Sequence, residues 1–203
     1  MVTKQEIASL TSAIQQLTEK ITQMDSKLDS TLVKIEAVNT RVSTIEERLN
    51  QVEQHQRSHS IRIFGLKMES KESTLWSTAH CVFDALKPIL QLAVDAAALP
   101  TLPSVLEVID IAHPLPSKDT ATPPIIVRLR SKLYRAMILN FKASYFKQPE
   151  AVKFSIVEDM TKANALLLKT TKEKPDVLAA WFRNGRVKYK LSSDTSKTLT
   201  AVF

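Results

Sequence analysis

The sequence predicts an α+β protein with an N-terminal parallel coiled coil, and three observations carry that expectation. An unbroken heptad seam occupies the first quarter of the chain, short alternating apolar runs follow it, and positive charge gathers in the last third. With 203 residues and 44% hydrophobic content, the chain can bury a core in one long domain or two small ones.

Placing Ile7 at a and Leu10 at d puts Ile14, Leu17, Ile21, Met24, Leu28, Thr31, Ile35, Val38, Val42, Ile45, Leu49 and Val52 on one seam, and only Thr31 is polar. A helix lying on a globular core would drift with a period of about 3.6, so sustained alternation of three and four argues for packing between like helices. No Pro or Gly precedes Gly65, so residues 1–57 read as one helix, about 70 Å long over the seam at 1.5 Å per residue. Orientation follows from the flanks. Lys20, Arg41 and Arg48 at g face Asp25, Glu46 and Glu53 at e only if the chains run parallel and in register. Each exposed pair contributes about 0–1 kcal/mol, which fixes register more than stability. Ile at a with Leu or Met at d in the early heptads suits dimers, whereas Val38, Ile45 and Val52 at d suit trimers or tetramers. The segments Arg41 to Glu46 and Arg48 to Glu53 both match the Arg-h-x-x-h-Glu pattern of trimeric coiled coils, so the expected self-partner is a homotrimer.

Ser58 to Ser60 reads as a hinge, after which Ile61 to Leu66 alternates like a strand. A helix is expected from Thr74 to about Leu92, with Trp76, Val82, Phe83, Leu86 and Leu90 on its apolar side. Further strands are expected over Val105 to Ala112, Ile125 to Arg130 and Val152 to Val157, and a helix from Ser131 to about Ala143. The order β-α-β-β-α-β over residues 58–157 is that of a ferredoxin-like, RNA-recognition-type module. If Ile61, Ile63, Ile125, Val127 and Leu129 face the helices, the open face presents Arg62, Phe64, Ile126, Arg128 and Arg130.

Residues 158–203 read as a small α/β domain. Asp159 or Thr161 can cap a helix reaching about Lys172. Asn184-Gly185 then marks a two-residue hairpin within Trp181 to Lys190, since a type I′ turn needs positive φ twice. Arg186, Lys188 and Lys190 alternate along its second strand, a stripe that also fits an edge strand guarded by lysines.

Charge sorts the functional classes. Residues 1–57 hold 7 basic and 8 acidic residues, 58–127 hold 5 and 7, and 128–203 hold 16 and 6. So concentrated a positive field attracts phosphate backbones or anionic membranes. The excess lies largely on strands, not on a basic amphipathic helix, and no apolar run approaches the roughly 18 residues of a membrane span. An intracellular protein with no membrane partner is expected, its lone Cys81 a packed thiol. Only Gly65 and Gly185 are glycines, and His55, His59, His80 and His113 lack ligand spacing. No phosphate-cradling loop, zinc cluster, cofactor, catalytic residue or small-molecule substrate is therefore expected. Glu158 and Asp159, beside a helix start, read as cap or dipole partners. The competing class is a coiled-coil adaptor that binds a protein partner.

Four blocks, Ile61 to Gly65, Pro124 to Leu129, Ile156 to Thr161 and Ala180 to Val187, stand in order behind the seam. Together they resemble the first-open-reading-frame protein of LINE-one-type, non-LTR retrotransposons over nearly the whole chain. The resemblance implies a homotrimer that binds single-stranded RNA, and also single-stranded DNA. It further implies that the protein coats its own transcript and acts as a nucleic-acid chaperone in cytoplasmic ribonucleoprotein particles, with the nucleus as a second location. It places RNA between the recognition module and the C-terminal domain, with Arg62, Phe64, Arg128 and Arg130 on one side and Arg183, Arg186 and Lys188 on the other.

Overall fold

The computed structural model describes residues 3–68, 74–118, 121–194 and 198–201. The chain divides into two compact units, Met1–Leu49 and Asn50–Phe203. Helix α1, Lys4–Gln56, supplies all the regular structure of the first unit. Its threonines satisfy themselves locally; the Thr31 hydroxyl donates to the Lys27 carbonyl at 2.8 Å, so the one polar seam residue brings no unpaired hydroxyl to the seam. The apolar seam side chains stand 46–70% exposed in the single chain.

In the second unit α1 ends in a 3₁₀ turn, Arg57–His59, which runs directly into β1, Ser60–Phe64. The expected hinge at Ser58 to Ser60 is thus regular structure. α2, Leu75–Asp95, starts on the Thr74 cap, whose hydroxyl accepts from Ser77 N. Then come α3, Val105–Val108; β2, Ile109–Pro114; β3, Ile125–Leu129; α4, Lys132–Phe146; and β4, Ser155–Glu158. The four strands form an antiparallel sheet in the order β2-β3-β1-β4. Alternate residues Ile61, Ile63, Ile125 and Val127 are fully buried with Val82, Leu86, Ile89 and Leu90 of α2 and Ile138 of α4. One sheet face is therefore the core.

Two boundaries depart from expectation. Val105 to Val108 is a helical turn, because Glu107 reaches back to accept from both the amide and the hydroxyl of Ser104, a capping pair that outweighs the strand preference of two valines. Val152 to Phe154 is irregular: Ala151 N bonds the Gln148 carbonyl, Val152 N bonds the Tyr145 hydroxyl, and Phe154 closes the core ahead of β4.

The rest of the second unit is α5, Lys162–Lys172, and a sheet of β5, Val177–Arg183, β6, Arg186–Leu191, and β7, Leu199–Thr200. Asn184 and Gly185 have φ of 53° and 78°, the type I′ geometry their sequence calls for. β6 is the central strand of the three, not an edge. Its lysine stripe therefore does not guard an edge. No helix among the described residues is long and apolar enough to cross a membrane.

Candidate nucleic-acid interface

The alternation that buries Ile61 and Ile63 turns Arg62 and Phe64 to the opposite face, and on β3 it does the same for Ile126 and Arg128. Register brings these strands side by side, with Arg62 opposite Ile126 and Arg128 opposite Ser60. Arg128 meets Asp110 at 3.4 Å yet stays 64% exposed, so most of its guanidinium faces solvent. Arg130 follows β3, its side chain exposed and its amide donating to the Val108 carbonyl at 3.0 Å.

Arg62 differs. Its Nε donates to Asp159 at 2.6 Å, and Arg57 donates to the other oxygen of the same carboxylate at 3.0 Å. The Asp159 side chain is 1% exposed, which makes these bonds the solvation of a buried charge. Burial works against the charge of Arg57, yet its hydrogen bond to Glu53 and the nearby Asp159 outweigh it and raise its pKa above the ordinary arginine value. Arg62 thus enters the open face with its charge already matched. Glu53, at a seam-flanking e position, makes its ion pair with Arg57 one turn later in its own helix.

The residues after β4 do more than cap. Thr161 caps α5, its hydroxyl accepting from Asn164 N, while the Glu158 carboxylate takes Arg135 on one oxygen and the Asn184 amide, at 3.1 Å, on the other. Glu158 thereby ties the hairpin turn to the end of β4. The Gln54 amide is a second hub: it donates to the Asp159 carbonyl and accepts from Thr161 N and the Asn164 side chain. With Asn50, which accepts from the Thr161 hydroxyl, it joins the last turns of α1 to the start of α5.

Arg183, at the end of β5, donates to Asn140 at 3.4 Å. It lines a cleft of about 370 Å³ together with Val157, Lys142, Lys172, Trp181 and Phe182. Sequence reasoning missed the last four as site residues, although Trp181 and Phe182 directly precede Arg183. Lys142 donates to the Ile156 carbonyl at 2.7 Å; burial lowers its pKa, assisted by Arg183 and opposed by Glu158. Arg186 lies on the far side of the turn and lines a different cleft, and Lys188 lies opposite Trp181 in the sheet register. The predicted contacts therefore fall into three groups: the open sheet face, the aromatic cleft at Arg183, and the flank of the turn at Arg186.

Among the described residues no group of three or more His, Cys, Asp or Glu is placed to hold a metal ion. No family model matches the chain, and no curated protein matches it.

Proposed function

We propose that the protein is a homotrimeric single-stranded nucleic-acid-binding protein whose coiled coil gathers three copies of a basic RNA-recognition-type module. The observation that carries this reading is the sheet. Its order β2-β3-β1-β4, with helices on one face, is the ferredoxin-like arrangement, and the other face offers Phe64 and Arg128. Phe64 can stack a base, and Arg128 and Arg130 supply phosphate contact or guanidinium stacking. Arg183 with Trp181 and Phe182 adds an aromatic and cationic wall. Such contacts position a strand without reading base edges, so affinity is broad in sequence.

The exposed seam supports self-association, because thirteen apolar side chains on one face of a polar helix have no partner within their own chain. Taken with the resemblance described above, the function is that of a LINE-type first-open-reading-frame protein: coating a retrotransposon transcript and remodelling nucleic-acid structure. Binding of a labelled single-stranded oligonucleotide across a salt series tests the proposal. Affinity should need no metal or nucleotide and fall by on the order of a hundredfold or more between about 50 and 200 mM salt. Salt-independent or absent binding would favour the adaptor class instead.

A further inference from the structure

We propose that the cleft on the Arg186 side of the hairpin turn is a separate phosphate site, which holds one backbone phosphodiester of a bound single strand. The inference rests on the nucleic-acid reading above and adds to it a site outside the sheet face and the aromatic cleft. The cleft has a volume of about 510 Å³, and its walls come from the last turns of α1, the start of α4 and the hairpin turn. His55, Ser58, Lys132, Arg135, Gly185 and Arg186 line it, and no acidic residue does.

Lys132 is the first residue of α4, a helix of 15 residues, so its ammonium stands at the positive end of the helix dipole. Arg135, one turn on, is matched by Glu158, which leaves Lys132 and Arg186 as the charges not balanced within the site. Donors exceed acceptors here: Arg135 Nε and Ser58 Oγ are buried and have no hydrogen-bond partner among the described residues. Arg186 reaches the cleft because Gly185, at φ +78°, turns the chain so tightly that a Cβ there would stand 3.5 Å from Gln54 Cγ. The two clefts flanking the turn thus differ in chemistry. The Arg183 side has Trp181 and Phe182 for a base; the Arg186 side has donors and cations without an apolar aromatic wall, which suits a tetrahedral anion.

The test is oligonucleotide binding across a salt series with the full chain, comparing the unmodified protein with Lys132→Ala/Arg186→Ala and with Arg128→Ala/Arg130→Ala. The first pair should weaken binding about tenfold or more for every sequence and reduce the salt slope by about two, one per lost phosphate-facing cation. Arg186→Lys, which keeps the charge, should retain most of the affinity. Unchanged affinity and slope in the Lys132/Arg186 pair, with binding lost in the Arg128/Arg130 pair, would overturn this site and leave the broader reading standing. No binding by the unmodified chain would overturn both. If inorganic pyrophosphate raised the melting temperature of the unmodified protein but not of the pair, and oligonucleotide affinity did not change, the cleft would hold a free phosphate compound and the strand assignment would be wrong.

Discussion

Arginines with similar sequence surroundings serve opposite ends in this chain, and their partners decide which. Arg62 and Arg128 both occupy outward positions on neighbouring strands, but Arg62 is spent on a buried carboxylate while Arg128 keeps a mostly exposed guanidinium. Asp159→Ala should therefore destabilise the second unit by about 2–4 kcal/mol, because Arg57 and Arg62 lose their common partner while still partly buried. Thermal melting should register this as a fall of roughly 5–15 °C. Arg128→Ala/Arg130→Ala should do the reverse: melting unchanged, and single-stranded binding weaker for all sequences alike. An Asp159 variant that melts normally would show that the buried pairs contribute nothing net. None of this difference is legible in the sequence, since Arg62 and Asp159 are 97 positions apart and each looks like an ordinary surface residue.

Local signals and long-range pairing divide the elements in the same way. The Asn184-Gly185 turn, the alternation over Ile61 to Phe64 and Ile125 to Leu129, and the Thr161 cap were all legible, because each is decided within a few residues. The Ser104 and Glu107 capping pair is equally local, but its valines matched a strand pattern and masked it. Gln54, by contrast, looked like a solvated position on a long polar helix, and only the fold makes it a buried hub. Gly185→Ala checks the turn. A side chain at φ +78° costs about 1–2 kcal/mol, so the variant should melt several degrees lower, with Asn184 already using the second strained position. Thr161→Ala should cost about 1 kcal/mol as a lost cap, and more if the Asn50 bond is counted with it. A neutral result at either position would mean that neighbouring contacts, not turn or cap geometry, hold these elements.

At the scale of the whole molecule, the seam sets the prediction. Sedimentation equilibrium should give a mass near three times 22.8 kDa. Replacing Ile35, Val42 and Leu49 by aspartate should return a monomer that still binds nucleic acid weakly. Its apparent affinity should fall by roughly 10² to 10⁴ through lost avidity. A monomeric unmodified chain would remove the coiled-coil reading altogether. The Gln54 hub has a further consequence, for proteolysis. Because Asn50, Gln54 and Arg57 are bonded into the second unit, the globular part begins inside α1, about two turns before the helix ends. Trypsin has exposed Arg48 on one side of that boundary and ion-paired Arg57 on the other. Digestion of the aspartate variant should therefore leave a resistant core whose first residue is 49, not Ser58, and a chain trimmed to begin at Ser58 should unfold more readily than one that begins at Asn50.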